Sequence, residues 1–534
     1  MSNAEFGMVG LGTMGRNFLL NVAEHGFPCV GYDIDPEKRQ LLLSEGENLP
    51  VSAVASPAEL VKQIAAPRTI MVLVPAGPIV DSVINDLLPY LERDDLIIDG
   101  GNSHFLDTER REQQLATKSI GFLGVGVSGG ETGARFGPSM MPGGQRGYYD
   151  RVAPIFEAVS ASVNGEPCVA YMGASSAGHF AKMVHNGIEY GLMQILAETY
   201  DFMLRVLKMN YREMSETFSR WNDSELNSFL VETTAQVLRK IDAETGKPLV
   251  EVVLDKAAQK GTGKWTSQAA MDLGVPIPTI DSAVSMRQIS AQKETRTRIS
   301  QKLGCKIFPE PGQHEIDGEE VTSELETGLK ASLAASAVET QASIQHGQHL
   351  ADKKTGDGQV ATVPLSKSEE VKREFEADHE HSLEELKNTL LSSFIVTYAQ
   401  GLSLLQVASE EKKYGLDLSA ITKIWRGGCI IRSALLDKMH SAFVDDPRLP
   451  NLILNDEFAS ILVKQCPDWH EIVGKFSRSR IPSLCLSSGL SYFEAFRSER
   501  LPANLIQAQR DFFGAHTYQR TDKEGIFHTP DWGK

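Results

Sequence analysis

The sequence has few cysteines, fewer basic than acidic residues, and no long apolar run. Its six cysteines are scattered without a metal-like or redox pairing, which favours a reducing, cytoplasmic setting. The 53 Lys and Arg against 70 Asp and Glu give a formal net charge of −17, which argues against nucleic acid as a partner. No stretch reaches the roughly 18 to 20 apolar residues of a membrane helix, and the N-terminus lacks the basic region of a signal peptide. We therefore expect a cytoplasmic protein without a membrane partner, in which a local basic cluster holds any anionic ligand.

The first motif is the glycine-rich stretch GLGTMG. Its glycines, Gly10, Gly12 and Gly15, lie between an apolar stretch with strand character and an amphipathic helical pattern. In that context, glycines with this spacing allow a tight turn and the close approach of a pyrophosphate to a helix N-terminus. The motif predicts a dinucleotide-binding loop, and the alternative is a chance turn.

The second strand, CVGYD, indicates which dinucleotide is bound. It ends at Asp33, 23 residues after Gly10. A carboxylate there accepts hydrogen bonds from the ribose hydroxyls of NAD and repels the 2′-phosphate of NADP, and Asp35 adds to that repulsion. Lys38 and Arg39 follow directly and oppose it. The sequence therefore favours NAD.

Three further apolar stretches alternate with helical patterns: TIMVLVPAG (69–77), LIIDGGNS (96–103) and IGFLGVGVSGG (120–130). This alternation predicts an α/β domain with a doubly wound parallel sheet. Ligands of such sheets bind at the carboxyl ends of the strands, where Asn102 and Ser128-Gly129-Gly130 are expected. The alternative is that these residues only form turns.

From about Ala177 the pattern changes to long helices, of which the first reads GHFAKMVHNGIEY. The spacing of Lys182, His185, Asn186 and Glu189 places their side chains on one stripe of a helix. Such a stripe is either a solvated surface pair or an acid and a base that reach opposite ends of one small substrate. The following Gly187 costs roughly 1 kcal/mol in a helix relative to Ala, and such a break in propensity is typical of a functional site or a close approach.

Two other motifs lie in the helical part. QKGTGKWT (259–266) is either a surface turn or a phosphate site built from backbone amides, Lys260 and Thr262. Arg287, taken alone, is a surface arginine. WRGGCIIRS (425–433) predicts a tightly packed helix contact without chemistry.

Two segments differ in composition from the rest. Residues 304–385 are acidic and are predicted to be partly a charged helix and partly a flexible loop. The scattered histidines there lack the spacing of a metal site, among them His346, His349, His379 and His381. We therefore expect no metal. The stretch LPANLIQAQRDFFGAHTYQR (501–520) carries Arg510 and His516 among enough apolar side chains to dock on another surface.

The chain resembles the decarboxylating 6-phosphogluconate dehydrogenases. The resemblance rests on motifs in family order that cover nearly everything outside 304–385: GLGTMG, DGGNS, SGGETGARFGPSMMPGG, GHFAKMVHNGIEYG, QKGTGKWT, WRGGCIIRS and LPANLIQAQRDFFGAHTY. It implies a Rossmann-type domain (1–176), a large all-helical substrate and dimerisation domain (177–498), and a C-terminal tail (499–534) that reaches the partner subunit of a homodimer. It also implies oxidative decarboxylation of 6-phospho-D-gluconate to ribulose 5-phosphate and CO2 in the oxidative pentose phosphate route, with reduction of a nicotinamide cofactor.

The resemblance also implies roles for individual residues. Lys182 resembles the general base, whose pKa must be lowered by burial or by nearby positive charge, and Glu189 resembles the acid that protonates C1 of the enediol. The implied substrate-positioning residues are Asn102, Ser128, Gly129, Gly130, His185 and Asn186. The implied phosphate site comprises Tyr190, Lys260, Thr262 and Arg287, together with Arg510 and His516 from the other subunit. The implied cofactor contacts are Gly10, Gly12, Met14, Gly15, Asp33, Val74 and Asn102.

The sequence departs from the family pattern at three places. NADP-using members carry an Asn-Arg-Thr-like run where this chain has Asp33-Ile34-Asp35, so NAD is favoured and NADP is the family's common alternative. Pro75 stands where many members have a lysine, and 304–385 is longer than the usual connection. Another β-hydroxyacid dehydrogenase would not need the phosphate residues, and a non-catalytic paralogue should have lost Lys182 or Glu189.

Overall fold

The computed structural model describes residues 4–303 and 365–532. The chain divides into two units, of which the first combines Met1–Ala291 with His379–Lys534 and the second is Gln292–Asp378. Much of the predicted acidic segment, residues 304–364, lies outside the described residues, and so do His346 and His349.

Seven strands near the N-terminus form one sheet in the order β3-β2-β1-β4-β5-β6-β7. The strands are β1 (Phe6–Val9), β2 (Cys29–Tyr32), β3 (Val51–Val54), β4 (Thr69–Val72), β5 (Leu96–Asp99), β6 (Gly121–Val127) and β7 (Met140–Gly144). All neighbouring pairs are parallel except β6 and β7, which are antiparallel. The predicted α/β sheet is confirmed, whereas the antiparallel edge strand was not predicted. Two short strands, β8 (Ser162–Val163) and β9 (Glu166–Pro167), pair separately.

Helices connect these strands and cover the sheet, as expected for strands that are apolar on both faces. They are α1 (Thr13–Glu24), α2 (Pro36–Glu45), α3 (Pro57–Gln63), α4 (Pro78–Leu87), α5 (Phe105–Ala116), α6 (Gly130–Phe136) and α7 (Arg146–Val159). Side-chain caps fix three of the starts, since Asp35 accepts from the Glu37 N–H, Ser56 from the Glu59 N–H and His104 from the Leu106 N–H.

After the sheet, the described chain is mainly helical. Its helices are α8 (Ala177–Arg205), α9 (Tyr211–Asn222), α10 (Phe229–Arg239), α11 (Leu249–Val252), α12 (Thr262–Asp272), α13 (Pro278–Ala291), α14 (Lys293–Leu303), α15 (Leu365–Glu411), α16 (Leu418–Ile424), α17 (Leu435–Asp445), α18 (Asp456–Arg478), α19 (Leu484–Phe496) and α20 (Ala503–Gly514). The charged run that follows residue 365 is helical, as predicted for part of the acidic segment. In the first unit, α8 packs against β6, β7, α12 and α13, so it joins the sheet to the helical part.

One stretch of α15 passes the length and composition test for a membrane span. Residues His379–Glu411 are long and apolar enough to cross a membrane, although 89% of their most apolar part is buried inside the protein. This stretch is an exception to the expectation that no segment is long and apolar enough for a membrane helix. Because burial on this scale is typical of a core helix, the stretch gives only weak support for a membrane span.

Candidate active site

Glycines in both α8 and β6 let the helix lie close against the strand. A Cβ atom at Gly126 would overlap the Cβ of Lys182, and one at Gly178 would overlap the carbonyl oxygens of Gly124 and Met141. These contacts hold Lys182 beside the end of β6, where its side chain is buried and the residue is only 6% exposed. The lysine is therefore not part of a solvated surface pair.

The four side chains of the predicted stripe lie together on α8, with His185 at the centre. The Nδ1 atom of His185 lies 3.3 Å from Lys182 Nζ, and its Nε2 atom lies 3.3 Å from Ser128 Oγ. Nδ1 is also 3.1 Å from Asn186 Oδ1 and 3.9 Å from Glu189 Oε2. His185 is fully buried and Glu189 is half-buried. One helix thus presents an amine, an imidazole, an amide and a carboxyl group to the loop after β6.

Burial shifts the pKa values of the lysine and the glutamate in opposite directions. Desolvation lowers the pKa of Lys182, although the nearby Glu189 carboxyl opposes the shift. Desolvation raises the pKa of Glu189, opposed by Lys182 and Arg287. Burial, together with Lys182, holds the pKa of His185 well below its usual value. Each shift favours the neutral form, which for an amine is a proton acceptor and for a carboxyl a proton donor.

The unusual glycine of this helix, Gly187, marks a close approach by α12. A Cβ atom at Gly187 would lie 2.6 Å from Thr266 Cγ2. The Thr266 hydroxyl donates to the backbone oxygens of Met183 and Thr262, both at 2.9 Å. The start of α12 is thereby attached to α8 one turn from Glu189.

The predicted phosphate residues of the first unit are neighbours in the structure. The Arg287 guanidinium stacks on the Tyr190 ring at 3.9 Å from its centroid and donates to the Ala258 carbonyl at 2.9 Å. Thr262 is the first residue of α12 and is buried, and Lys260 is exposed two residues earlier. Gly261 between them has φ 98°, a left-handed conformation that favours glycine. Tyr190, Thr262 and Arg287 therefore lie by the N-terminus of α12, where backbone N–H groups favour an anion, and Lys260 precedes that terminus in the chain.

The loop after β5 depends on a buried ion pair that the sequence analysis missed. Asp99 and Arg111 are almost fully buried, with Oδ2 of Asp99 3.1 Å from Nη1 of Arg111. Asp99 also accepts hydrogen bonds from the Gly101 N–H at 3.0 Å and the Ser103 hydroxyl at 2.7 Å. These bonds fix the loop that exposes Asn102 at the strand end. The only sequence signal was an aspartate at the end of an apolar strand.

The loop after β6 is held by the WRGG segment. A Cβ atom at Gly129 would lie 2.6 Å from the Gly428 oxygen, which accepts a hydrogen bond from the Ser139 N–H at 2.8 Å. Gly129 has φ 107°, so this turn requires glycine on two grounds. The Trp425 ring packs edge-on against His185 with centroids 5.5 Å apart. The predicted helix contact is wrong in one respect, because the segment is a loop that follows α16.

The glycine-rich loop adopts the expected strand–turn–helix arrangement. Gly10 has φ 96° and lies against Leu73 and Val74, and a Cβ atom at Gly15 would overlap the Gly10 carbonyl. Met14, in the first turn of α1, is partly buried against the sheet core. Gly12 differs from these glycines, since a Cβ atom there would meet no protein atom within 4 Å and its φ of −61° suits any residue. The protein itself gives no reason for glycine at position 12, which fits a ligand that approaches the backbone there.

The Asp33 carboxylate is already bound by backbone. Its Oδ2 accepts from the Leu11 N–H at 2.7 Å and its Oδ1 from the Asp35 N–H at 3.0 Å, and the residue is 7% exposed. Lys38 Nζ lies 3.7 Å from Asp33 Oδ2, and Arg39 donates to the Asp33 carbonyl at 2.6 Å. Asp33 therefore links the glycine-rich loop to the end of β2 and holds both basic residues nearby.

The structure places Arg510 and His516 in the C-terminal segment. Arg510 donates to Gln507 at 3.0 Å, and the His516 ring packs against Phe513. Among the contacts of the described residues, none joins either side chain to Lys182. The segment is organised by Asp511, which is fully buried and was not singled out from the sequence.

Comparisons with known proteins cover nearly the whole chain. A family profile described as the NAD binding domain of 6-phosphogluconate dehydrogenase matches residues 5–173. A second, described as the 6-phosphogluconate dehydrogenase C-terminal domain, matches 178–363 and 348–532. The chain belongs to the 6-phosphogluconate dehydrogenase family. The predicted resemblance is thereby confirmed.

Full-length relatives agree with this family assignment. The NADP(+)-dependent, decarboxylating 6-phosphogluconate dehydrogenase of Bacillus subtilis is 42% identical over 100% of both chains. The decarboxylating 6-phosphogluconate dehydrogenase of Synechococcus elongatus is 40% identical over 99% of both. The solved Plasmodium falciparum 6-phosphogluconate dehydrogenase is 37% identical, with a TM-score of 0.82 over 98% of this chain and 100% of that one. It is described in complex with its cofactor NADP+ and with its substrate 6-phosphogluconate.

A methyl group at Gly12 tests whether the glycine-rich loop binds NAD(P). We expect Gly12→Ala to cost no more than about 1 kcal/mol of stability, as a change at a helix N-cap. The same variant should bind NAD(P) more than about tenfold more weakly, because its Cβ lies in the path of the pyrophosphate. Gly147→Ala is the control, since a Cβ atom there also meets nothing within 4 Å and lies on α7. Equal calorimetric affinities of the two variants would contradict the prediction.

Proposed function

We propose that this protein oxidatively decarboxylates 6-phospho-D-gluconate to D-ribulose 5-phosphate and CO2, with reduction of NAD(P)+. The observation that carries the proposal is the pair on α8. Lys182 and Glu189 lie on one stripe beside the loop after β6, and burial shifts the pKa of each towards its neutral form. A neutral amine and a protonated carboxyl are the base and the acid that this reaction needs.

Lys182 serves as the general base of the oxidation. Its neutral amine takes the proton of the C3 hydroxyl while C3 releases a hydride, and NAD(P)+ supplies the hydride acceptor when it is bound. The substrate thereby becomes a 3-keto acid and Lys182 becomes an ammonium. His185, 3.3 Å from Lys182 Nζ, orients the amine, and Ser128 in turn contacts His185.

Loss of CO2 follows because the ketone at C3 accepts the electron pair of the breaking C–C bond. The Lys182 ammonium hydrogen-bonds the oxygen on which negative charge develops and then returns its proton there, which gives an enediol. Glu189 protonates C1 of that enediol (ribulose 5-phosphate numbering), while the neutral Lys182 amine takes the proton of the C2 hydroxyl, so that the ketone of ribulose 5-phosphate forms. Burial raises the pKa of Glu189 and so favours the protonated form that this step needs, and α8 holds Glu189 two turns from Lys182. Asn102, Gly129, Gly130 and Asn186 position the substrate between these groups.

The phosphate of the substrate binds at the N-terminus of α12. Tyr190, Thr262 and Arg287 lie by that terminus and Lys260 precedes it in the chain; Lys260 and Arg287 supply the positive charge that a protein with net charge −17 needs for an anionic substrate. This site distinguishes the proposal from other β-hydroxyacid dehydrogenases, whose substrates need no phosphate site.

NAD is proposed as the preferred cofactor. Ile34 is 85% exposed at the position where NADP-using members have an arginine, so no cation follows Asp33 directly. Asp35 is occupied as the cap of α2 and adds negative charge. Arg39 donates to the Asp33 and Ile34 carbonyls, which holds its guanidinium against the backbone. The cofactor contacts are Gly10, Gly12, Met14, Gly15, Asp33, Val74 and Asn102.

The C-terminal segment is proposed to act on the partner subunit of a homodimer. Several of its large apolar side chains are exposed: Leu505, Ile506, Phe512 and Phe513. Covering them on a second copy would bring Arg510 and His516 to the other subunit's phosphate site. Two further points stay predictions. One is the division into domains at 1–176, 177–498 and 499–534. The other is a cytoplasmic location without nucleic-acid or membrane partners.

Replacing the proposed base tests the mechanism. We expect Lys182→Met to lower kcat by about 10²–10⁴-fold or more, because the variant lacks the amine proposed to accept the C3 hydroxyl proton. Calorimetric affinity for NAD(P) should be nearly unchanged. The exposed Lys118 offers a control, and Lys118→Met should keep full activity. Near-normal turnover of Lys182→Met would show that another group is the base.

Initial rates with 6-phosphogluconate test both the reaction and the cofactor. We expect a higher kcat/KM with NAD than with NADP, because Asp33 and Asp35 repel a 2′-phosphate. Ile34→Arg combined with Asp35→Thr should shift the ratio towards NADP, with the rate on NAD as the internal control. A wild-type preference for NADP would keep the reaction and reject the cofactor preference. Failure to reduce either cofactor would reject the reaction.

Mixed dimers test the exchange of the C-terminal segment. Lys182→Met and Arg510→Ala should each be nearly inactive alone. In dimers mixed at random, half are heterodimers, and each has one site with an intact Lys182 and an intact Arg510 from the partner, so about a quarter of wild-type activity should return. If Arg510 acts within its own chain, heterodimers contain no intact site and no activity returns.

A further inference from the structure

A second cluster of reactive side chains lies where α18 meets α19, on helices that carry none of the side chains proposed for the Lys182 site. Cys466 and His470 are one turn apart on α18, and Glu494 reaches them from the last turns of α19. One ligand atom from each residue lies within 4.8 Å of the others. Glu494 Oε1 is 2.9 Å from His470 Nε2 and 3.2 Å from Cys466 Sγ.

We propose that Cys466, His470 and Glu494 bind a zinc ion. Sulfur, imidazole nitrogen and carboxylate oxygen are the donors that Zn²⁺ takes in proteins. With metal–ligand bonds of about 2.0–2.3 Å, neighbouring ligands of a tetrahedral zinc lie about 3.3–3.6 Å apart. The observed separations of 2.9 and 3.2 Å need to widen by only a few tenths of an ångström. Three protein ligands leave the fourth position for water.

The cluster is open enough for an ion to enter. Cys466 is buried, whereas the His470 and Glu494 side chains are 57% and 30% exposed. Binding replaces the S–H bond of Cys466 with a sulfur–zinc bond and releases the proton to solvent. Burial raises the pKa of this thiol to about 11, so the metal must displace its proton.

One cation stands beside the cluster and has to be accommodated. Arg497 Nε lies 2.9 Å from Glu494 Oε2, and Arg497 Nη1 lies 3.8 Å from Cys466 Sγ. The guanidinium binds the second carboxylate oxygen and leaves Oε1 for the ion. Its side chain is 48% exposed, so it can turn towards water when zinc binds.

A zinc ion here would join two helices next to the C-terminal segment. It would fasten α18 to α19 just before α19 ends at Phe496, from where the chain continues to α20. Because the ion binds only the folded arrangement, it would raise the thermal stability of the protein. The Cys-x3-His spacing of Cys466 and His470 was not singled out from the sequence, where the cysteines form no pair and the histidines that drew attention lie in 304–385.

Cobalt is a spectroscopic probe for this site. The untagged, metal-free, full-length protein is titrated with Co²⁺ and then with Zn²⁺. We expect a thiolate-to-cobalt charge-transfer band that saturates at one Co²⁺ per chain, is abolished by one equivalent of Zn²⁺, and is accompanied by a higher Tm with Zn²⁺. Absence of the band at stoichiometric Co²⁺ would overturn the proposal.

Variants assign the band to its ligands. Cys466→Ser should remove the band, and Glu494→Gln and His470→Ala should each weaken Co²⁺ binding by more than about tenfold, the scale on which even outer-shell changes act. The exposed His470 tests the site even if Cys466→Ser fails to fold. Cys29→Ser, which removes another buried thiol, is the control and should keep the band. An unchanged band in His470→Ala would overturn the proposal.

Discussion

The close contact between α8 and the sheet is the constraint on which the rest of this site depends. Gly178 meets the carbonyl oxygens of Gly124 and Met141, and Gly126 leaves room for the Cβ of Lys182. Any side chain at these glycines would push the helix away from the sheet and admit water. Water around Lys182 would raise its pKa again, since burial is the first cause of the lowering. Backbone packing thus keeps the pKa of the amine below its usual value.

The same helix makes close contacts along its length with different partners. Gly187 meets Thr266 of α12, and Gly191 meets Thr397 of α15. Each glycine costs roughly 1 kcal/mol of helix propensity, which tertiary packing on several sides offsets. The contact at Gly187 fixes α12 against α8, so the proposed phosphate site cannot move independently of Glu189. Low local propensity in α8 is therefore the consequence of its central position.

Features that depend on short-range patterns could be predicted from the sequence. The strand–glycine–helix motif and the stripe of Lys182 and Glu189 are of this kind, because each consists of residues that are contiguous in the sequence. The buried contact of Asp99 with Arg111 could not be predicted, since it joins a strand end to the next helix. The engagement of Asp33 by the Leu11 N–H is another such case. A sequence pattern predicts the face of a helix or strand on which a side chain lies. Only the tertiary packing determines which residues that side chain contacts.

In the C-terminal segment, too, local contacts fold the chain while some large apolar side chains stay exposed. Burial alone would raise the pKa of Asp511, but hydrogen bonds from the Thr529 N–H, His528, Trp532 and the Thr517 N–H outweigh it and lower the pKa. These bonds fold the segment around one carboxylate. The Asp511 carboxylate oxygens are thereby satisfied within the segment, whereas Phe512 and Phe513 are 64% and 71% exposed.

A segment with this arrangement is ordered before it meets a partner. Exposed aromatic side chains on an ordered element favour docking on an apolar surface. Because the backbone is already fixed by Asp511, docking does not have to include the entropy of ordering it, and more of the contact energy is available for binding. The ordered backbone also determines the position of Arg510, because Arg510 precedes Asp511 on the same helix turn. An internal carboxylate thus places a cation that is proposed to act on another subunit.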